Sequence, residues 1–383
     1  MRIKYQIRKK CLVNNKETLK SFLTLKKFPV FIGCTDQPFE KDLFFDMQWT
    51  VSSRTRLVQL KNLVDPKLIY SKYHSEAVGE IWEKHHIEFS NFILKYCDAN
   101  IIEIGGGANE LANLTSKNKK IKKWTNFEIS KIEKNQIKPN KKVRYINSFI
   151  SNKLVHKVIE NNTTFVHSHV LEHLYSPIED LKKILKFNEI NKMIFSVPNL
   201  GLYLRNNYTN VINFEHTYLL TEEILKVILS KLNFKIKIKK YYKNHSIFIY
   251  ARRDNMTKNI KIPNLKKYQL MYKKLIYKYK KKISSLNKIF IKKDRERNFL
   301  FGAHIFSQFL ISRGLKWSNF NCILDNSKLK KNKRLYGTKL KVVGPQVIKK
   351  IKNPKVLLNA GAYNLEIRKQ LYEINPNIKI INI

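Results

Sequence analysis

The clearest functional pattern in this sequence consists of three consecutive glycines and an acidic residue further along the chain. Gly105, Gly106 and Gly107 follow the apolar run IIEI, and ANELANL continues from them as the start of a helix. A strand that ends in glycines and leads into a helix presents backbone N–H groups and the positive end of the helix dipole to a ligand. Glu128 ends the next predicted strand, where an acidic side chain accepts hydrogen bonds from ribose hydroxyls. The pattern predicts a binding site for a nucleotide-type ligand.

A second carboxylate narrows the choice of ligand. Glu103 lies at the end of the first strand, just before the glycines. A carboxylate there would repel the pyrophosphate of a dinucleotide, but it can receive the ammonium group of an amino-acid ligand, directly or through water. Carboxylates at both Glu103 and Glu128 therefore favour S-adenosylmethionine over NAD as the cofactor.

The strands and helices predicted around the glycine loop follow an alternating α/β pattern. Helical segments separate the first five predicted strands, which indicates a mostly parallel sheet. The last two strands are only three residues apart, which predicts an antiparallel hairpin at a sheet edge. We expect a central seven-stranded Rossmann-like methyltransferase sheet, with strands at 100–105, 123–128, 143–146, 163–169, 192–197, 234–241 and 245–251.

Two regions follow this sheet in the sequence. Residues 258–293 are strongly basic, with apolar residues at spacings of three or four, which predicts a long amphipathic helix. Its apolar side either packs on a neighbouring domain or lies weakly on a membrane surface. Further strands and a helix after residue 298 predict a smaller Rossmann-like domain. The chain is expected to divide into four parts. They are a mixed N-terminal domain at 1–75, the methyltransferase-like domain at 76–255, a basic linker helix at 256–297 and the C-terminal domain at 298–383.

Composition limits the classes of partner. The 383-residue chain has a formal net charge of +46, from 75 Lys and Arg against 29 Asp and Glu. Such an excess ordinarily indicates nucleic acid or an anionic membrane, but here it is mostly Lys and is spread over nearly the whole chain. We expect a basic surface that favours small phosphorylated ligands, without a dedicated nucleic-acid-binding module. Scattered cysteines and the lack of a long apolar run predict a cytoplasmic protein with no transmembrane segment.

The glycine loop resembles a known motif. EIGGGAN at 103–109 is similar to the acidic-x-Gly-x-Gly motif of class I S-adenosylmethionine-dependent methyltransferases, with Asn109 where the family often has a third glycine. Asn tolerates the left-handed conformation that such a position requires. VHSHVLEHL at 166–174 resembles the fourth strand and its exit loop. The resemblance implies that His169 lies near the amino-acid end of the cofactor and that residues 171–173 begin the next helix.

Further stretches resemble one branch of that family, the three-domain sugar C-methyltransferases. They are NFEHTYLLTEEIL at 213–225, the long segment VQLKNLVDPKLIYSKYHSEAVGEIWEKHH at 58–86, and LFGAHIFSQFLI at 300–311. Members of this family typically methylate a carbon next to a keto group on a nucleotide-linked deoxysugar. The resemblance implies a nucleotide sugar, or a related small phosphorylated molecule, as the substrate for surface-glycan biosynthesis. His169 is then placed to donate a hydrogen bond to the sugar oxygen.

The N-terminal domain departs from the family pattern. That pattern has two Cys-x-x-Cys pairs that bind zinc, whereas this chain reads Cys11-Leu12-Val13-Asn14 and Ser52-Ser53-Arg54-Thr55. One thiolate remains of four, and structural zinc needs a closed shell of thiolate or imidazole ligands. We expect this domain to fold without zinc, so no metal site is predicted.

Catalytic roles follow from the same resemblance. Glu215 and His216 are adjacent in FEH, and a histidine oriented by a carboxylate is a suitable base near neutral pH. The resemblance implies that His216 is the general base and that Glu215 either orients it or binds a substrate hydroxyl. Tyr73 and His74 are implied to line the same pocket, with Tyr70 as a further candidate.

Other functions remain open on the sequence alone. The same cofactor and His216 would also serve methylation of oxygen or nitrogen on a phosphorylated glycan precursor. The net charge leaves RNA binding or RNA methylation as another alternative, although no RNP-like aromatic cluster, KH loop or zinc knuckle is present. A cofactor-binding scaffold that has lost catalysis is the third alternative.

Overall fold

The computed structural model describes residues 3–70, 80–132, 136–137, 139–254 and 260–383. Tyr73 and His74 lie outside these residues, so their predicted roles remain predictions. The predicted boundaries near residues 76 and 255 lie in the same undescribed stretches or directly beside them.

The N-terminal part is built from short antiparallel strands. β2, β4 and β5 form one sheet, and β1 pairs with β6. Met47, Trp49 and Val51 alternate along β4 and are buried, as expected for a strand with one face on a core. The elements are β1 Tyr5–Ile7, β2 Leu19–Pro29, β3 Cys34–Thr35, β4 Phe44–Ser52, β5 Val58–Leu60, β6 Asn62–Val64 and helix α1 Pro66–Ile69.

Three of the four positions at which the family pattern has zinc-binding cysteines lie close together in this part of the chain. The Cys11 thiol lies 3.7 Å from the hydroxyl group of Thr55. The backbone N–H of Thr55 donates to the Ser52 hydroxyl at 3.2 Å, and that hydroxyl also pairs with Thr18 at 3.0 Å. Hydroxyl groups in a hydrogen-bonded cluster therefore stand where the family pattern has thiolates. Folding without zinc remains a prediction.

The central sheet has seven strands in the order β12-β13-β11-β10-β7-β8-β9. The first five strands in the sequence pair in parallel, and β13 is antiparallel to both β11 and β12. This order confirms the predicted Rossmann-like methyltransferase sheet, with the hairpin at one edge. The strands are β7 Asn100–Ile104, β8 Lys123–Glu128, β9 Val143–Asn147, β10 Thr163–Ser168, β11 Ile190–Pro198, β12 Phe234–Tyr242 and β13 Ser246–Arg253.

Helices surround this sheet and complete its core. Phe165, Met193 and Phe195 are fully buried in the inner strands, which explains their continuous apolar runs. The helices are α2 Glu80–Tyr96, α3 Glu110–Thr115, α4 Asn152–His156, α5 Pro177–Leu185, α6 Leu200–Arg205 and α7 Glu222–Lys231.

The predicted basic helix is α8, Lys266–Ile289. Its apolar side is buried rather than free for a membrane surface. Tyr272 packs against Trp49 of β4 at a ring separation of 5.3 Å, and Tyr279 packs against Phe309 at 5.3 Å. The Tyr268 hydroxyl donates to Glu223 at 3.1 Å. The helix therefore contacts the N-terminal, central and C-terminal parts, where the sequence suggested packing on one domain.

The C-terminal part contains a five-stranded parallel sheet in the order β17-β15-β14-β18-β19. This confirms the smaller Rossmann-like unit. Its elements are β14 Asn298–Phe301, α9 Ile305–Ser312, β15 Cys322–Leu324, β16 Arg334–Leu335, β17 Val342–Val343, β18 Lys355–Leu358, α10 Asn364–Ile374 and β19 Lys379–Asn382.

The N-terminal and C-terminal parts also meet directly, which the sequence did not predict. β3 pairs with β16 in an antiparallel bridge. Arg334 donates two hydrogen bonds of 2.6 Å to the buried carboxylate of Asp42, which also accepts the Gly337 N–H at 2.7 Å. Within the described part of the chain, no helix has the length and apolar character needed to cross a bilayer.

Candidate active site

The glycine loop connects β7 to α3 at the carboxyl end of the central sheet. Gly105 and Gly107 have left-handed φ angles of 67° and 54°, and Asn109 has a φ of 69°. The conformation of Asn109 is the one for which asparagine can replace glycine. The backbone of Gly105 is exposed, and Gly106 and Gly107 are partly exposed. The loop therefore offers main-chain groups to a ligand.

Packing within the protein also requires these glycines. A Cβ atom at Gly105 would lie 2.6 Å from Cγ2 of Val170, and one at Gly106 would clash with the carboxyl group of Glu103. The sequence pattern indicated that the missing side chains allow a ligand to approach. The structure adds that Val170 and Glu103 fill the space on the protein side of the loop.

Glu103 lies beneath the glycine loop, beside Gly106, and its predicted contact with an ammonium group, directly or through water, stays a prediction. Its side chain is fully buried. One carboxyl oxygen accepts a hydrogen bond from the Trp124 indole N–H at 2.8 Å. Burial raises the pKa of Glu103 to about 8, so the group is largely neutral at pH 7. Glu103 supports the glycine loop from the interior.

Glu128 holds the other side of the loop. One carboxylate oxygen accepts the Gly107 N–H at 3.0 Å, and the other accepts the Ser130 N–H at 2.7 Å. An ionised carboxylate has about four lone-pair positions, so two bonds leave capacity for ribose hydroxyls. The position at the end of β8 and this remaining capacity both fit the predicted role.

The exit of β10 lies against the glycine loop through Val170. His169, the residue before it, has a left-handed φ of 54°, and its N–H donates to the Ser196 carbonyl at 2.9 Å. Leu171–His173 form a separate 3₁₀ turn, and α5 begins only at Pro177. This corrects the expectation that residues 171–173 begin the next helix, because Pro177 favours the first helical position.

The 3₁₀ turn brings together a carboxylate–imidazole cluster, formed by Glu172, His173 and His216. One potential ligand atom from each residue lies within 4.8 Å of the others. A carboxyl oxygen of Glu172 is 3.8 Å from Nε2 of His173, and the His173 and His216 rings are 5.3 Å apart. Within the described residues, both Glu172 carboxyl oxygens and Nδ1 of His216 are buried without a hydrogen-bond partner.

Burial changes the acid–base properties of this cluster in opposite directions. It raises the pKa of Glu172 to about 8 and lowers the pKa of His216 to about 3. Both groups therefore favour their neutral forms near pH 7. Two neighbouring groups whose pKa values are shifted so that both are neutral, close to the end of a parallel strand, are typical of acid–base sites.

Tyr70 and Glu215 complete the surroundings of His173. The Tyr70 hydroxyl is 2.9 Å from Nδ1 of His173, and a Glu215 carboxylate oxygen is 3.8 Å from the same nitrogen. The predicted partner of Glu215 was His216, so the structure adds His173 as a neighbour of this carboxylate. Burial, then the charges of Glu215, Glu172 and Glu128, raise the pKa of Tyr70. Glu128 therefore acts electrostatically on the same pocket.

His169 contacts a different group of side chains from His216. Its Nε2 is 2.8 Å from the Ser246 hydroxyl, and its ring lies near Trp82, His85 and His245. Its Nδ1 is 3.8 Å from the same Glu172 carboxyl oxygen that lies 3.8 Å from His173, so Glu172 lies between His169 and His173.

Sequence reasoning missed His173 and Glu172 as functional candidates. Both were assigned to the start of a helix, because VHSHVLEHL resembles the fourth strand of the methyltransferase family and its exit loop. The available signal was the accumulation of His and Glu directly after the fourth strand, where ligands bind in open α/β sheets.

Comparisons with known proteins give structural similarity only. No family model matches the chain, and no curated relative matches it. An S-adenosylmethionine-dependent methyltransferase from Mesorhizobium loti is 8% identical and has a TM-score of 0.35, over 46% of this chain and 99% of that one. The methyltransferase domain of bacterial CtHen1-C is 14% identical and has a TM-score of 0.36, over 46% of this chain and 100% of that one. The plantazolicin methyltransferase BpumL was solved in complex with a triazolic desmethylPZN analogue and SAH. It is 13% identical and has a TM-score of 0.35, over 46% of this chain and 85% of that one.

Proposed function

We propose that this protein is an S-adenosylmethionine-dependent methyltransferase. The observation that carries the proposal is the contact between the glycine loop and the exit of β10, where the side chain of Val170 fills the space that a Cβ of Gly105 would need. This contact places the ligand-binding loop next to the turn that carries Glu172 and His173. The proposed cofactor site would thus lie beside the carboxylate–imidazole cluster, at the carboxyl ends of the inner strands β7 and β10.

The cofactor would be held by the glycine loop and Glu128. The exposed backbone of Gly105 accommodates close approach, and Glu128 retains acceptor capacity for the ribose. When bound, S-adenosylmethionine supplies an electrophilic methyl group. The remaining chemistry has to come from the side chains of this chain.

We propose a nucleotide-linked keto sugar as the substrate and a carbon next to its keto group as the methylated atom. His216 accepts the proton that leaves this carbon, as the sequence resemblance implies. Its lowered pKa of about 3 makes it a weak base by itself. A nearby carboxylate compensates the positive charge as the proton arrives, and Glu215, whose charge raises the pKa of His216, can provide it.

Tyr70 and His173 form a hydrogen-bonded pair beside this base. A donor that faces the developing enolate oxygen lowers the barrier, since negative charge accumulates there during proton removal. We assign this role to the Tyr70–His173 pair, with Tyr73 and His74 as further candidates from the sequence. Glu215 positions His173 or binds a substrate hydroxyl.

The proposal includes the division of the chain made from the sequence. The N-terminal, central and C-terminal parts correspond to a three-domain sugar C-methyltransferase, joined by the basic helix α8. The shared hydrophobic core and the Arg334–Asp42 pair, which joins the N-terminal and C-terminal parts, support a fixed arrangement of the three parts. We propose that the C-terminal part shapes the nucleotide-sugar cleft.

The test has two stages. Isothermal titration with S-adenosylhomocysteine measures cofactor binding, first for the wild type and then for His216→Asn. Incubation with S-adenosylmethionine carrying a ¹³C-methyl group and a set of keto-sugar nucleotides then identifies a methylated product by NMR. We expect His216→Asn to bind the cofactor normally and to lose methyl transfer, while the exposed His156→Asn retains both. No binding of S-adenosylhomocysteine by the wild type would refute the proposal.

The alternatives give different results in the same experiments. A ¹³C shift typical of O-methyl or N-methyl would indicate methylation of a heteroatom on a phosphorylated glycan precursor. Cofactor binding without transfer to any sugar would favour a scaffold. RNA affinity that disappears between about 50 and 200 mM salt would show nonspecific charge attraction only.

A further inference from the structure

Three histidines from distant parts of the chain meet beside the proposed active site. His85 lies on α2, His169 lies at the exit of β10, and His245 lies in the turn between β12 and β13. One ring nitrogen from each lies within 4.8 Å of the others. We call these residues the three-histidine cluster. Its ring centroids are 5.5 Å apart for His85 and His169, 5.6 Å for His85 and His245, and 5.5 Å for His169 and His245.

This triangle has the dimensions of a metal site. Zinc binds imidazole nitrogen at about 2.1 Å in a tetrahedral arrangement, which places ring centroids roughly 5.2 Å apart. The observed separations exceed that value by less than about half an ångström, a difference that small side-chain rotations can remove. Three imidazoles and one open position are also a common ligand set for zinc.

His85 provides a second, independent observation. Its side chain is completely buried, and both of its ring nitrogens lack a hydrogen-bond partner within the described residues. Its other neighbours are rings, including Trp82 at 5.0 Å and Phe248 at 5.2 Å. A buried imidazole with two unpaired nitrogens is destabilising unless a ligand engages one of them.

The other two histidines have polar neighbours at both ring nitrogens. Nε2 of His169 and Nδ1 of His245 both face the Ser246 hydroxyl, at 2.8 and 2.6 Å. Their remaining nitrogens face Glu172, at 3.8 Å, and the Tyr363 hydroxyl, at 3.1 Å. Ligating histidines commonly use their second nitrogen in this way, with a carboxylate or another polar group that fixes the ring.

We propose that the three-histidine cluster binds one divalent transition-metal ion of the zinc type. The ion would tie α2 to the exit of β10 and to the β12–β13 hairpin. It would also fix the His169 ring, which lies next to Glu172. The test of this proposal is independent of methyl transfer, because metal binding is measured directly and the variants at His85 and His245 lie outside the cofactor loop and His216.

The probe is Co²⁺, followed by Zn²⁺ as its competitor. Full-length protein is stripped with a chelator and titrated with Co²⁺, and the visible absorption of the ion reports its coordination. We expect one equivalent to bind with a tetrahedral spectrum and to be displaced by Zn²⁺. Metal content after dialysis, measured by mass spectrometry, gives the stoichiometry. Absence of stoichiometric binding would overturn the proposal.

Variants locate the ion. His85→Gln and His245→Gln should each weaken binding by more than about tenfold. His156→Gln, on the surface of α4, and His216→Gln, in the carboxylate–imidazole cluster, should leave it unchanged. Loss of binding in His216→Gln with retention in His85→Gln would place the ion at the other cluster and refute the assignment. A thiolate charge-transfer band would refute it as well.

Folding is monitored so that a variant that fails to fold is not mistaken for one that has only lost a metal-binding side chain. Each variant is compared with the wild type by circular dichroism, and the thermal midpoint is measured with and without Zn²⁺. The wild type should gain stability with Zn²⁺, because an ion that binds only the folded state shifts the equilibrium toward it. A folded His245→Gln variant with the full wild-type gain would contradict the proposal.

Discussion

The Tyr70 hydroxyl lies 2.9 Å from Nδ1 of His173, which joins the segment after α1 to the turn after β10. Neither residue reaches the other through local structure, because they belong to the N-terminal and central parts of the chain. The pair therefore closes the proposed active site from two sides, and its function can be tested one residue at a time.

Removal of either partner should reduce methyl transfer more than cofactor binding. His173→Gln is expected to lower kcat by about 10²- to 10⁴-fold, and Tyr70→Phe by at least about tenfold, because proton transfer or a stabilising donor is lost. Titration with S-adenosylhomocysteine should give nearly wild-type affinity for both. Tyr277→Phe, on the exposed side of α8, is the matched control. Equal losses in affinity and kcat would indicate a structural role instead.

Glu128 should determine cofactor affinity. Glu128→Ala removes the ribose acceptor and also releases the Gly107 and Ser130 N–H groups, so we expect a loss of about 1.5–3 kcal/mol in binding S-adenosylhomocysteine. Isothermal titration measures this loss directly. Glu160→Ala, at a largely exposed position, is the control for the change in charge. Unchanged affinity in Glu128→Ala would mean that the ligand does not use the end of β8.

The fold was largely predictable because its signals are local. The seven strands of the central sheet follow from apolar runs between turn residues, and the short spacing of the last two gives the hairpin. The glycine loop was equally visible, since three glycines after a strand are a local pattern. Asn109 could be recognised because few other residues adopt its backbone conformation.

The contacts within the site were not predictable, because they join residues that are distant in sequence. One such contact is the hydrogen bond that the Trp124 indole N–H donates to the buried carboxyl group of Glu103. The importance of His173 depends on Tyr70 and Glu215, which reach it only in the folded chain. The Arg334–Asp42 pair depends on the relative position of the two ends of the protein. A single sequence contains no signal for such pairs.

The close packing of Gly105 against Val170 predicts that a side chain at position 105 destabilises the protein, and that shortening Val170 relieves part of this loss. Gly105→Ala introduces a Cβ 2.6 Å from Cγ2 of Val170 at a left-handed φ, and we expect it to cost roughly 2–4 kcal/mol of unfolding free energy. Denaturation in urea should show that the loss in Gly105→Ala/Val170→Ala is smaller than the sum of the two single changes.

Gly302 supplies the control for this experiment. It also has a positive φ, of 95°, but a Cβ there would meet no atom within 4 Å. Gly302→Ala should therefore show only the backbone cost of about 1–2 kcal/mol, independent of Val170. Strict additivity of Gly105→Ala and Val170→Ala would mean that the two side chains do not compete for the same space.

The buried Glu172 predicts a stability that depends on pH. Its pKa of about 8 in the folded protein exceeds the ordinary value of 4.5, so the folded state keeps a proton that the unfolded state releases. The contribution of Glu172 to stability should then fall as the pH rises from 4.5 to 8 and level off above that. Above pH 6.5 the unfolded histidines are mostly neutral, so the effect of the acid is best isolated there.

Glu172→Gln should make the decline between pH 6.5 and 8 less steep, by about 1–2 kcal/mol over this interval, because glutamine has no proton to release. Urea unfolding at a series of pH values measures the difference. Glu103, whose pKa is also about 8, remains in the variant, so a residual decline is expected. Glu160→Gln should follow the wild-type curve. If Glu172→Gln also ran parallel to the wild type, Glu172 would be ionised in the folded protein, and its role as a neutral acid in the cluster would be wrong.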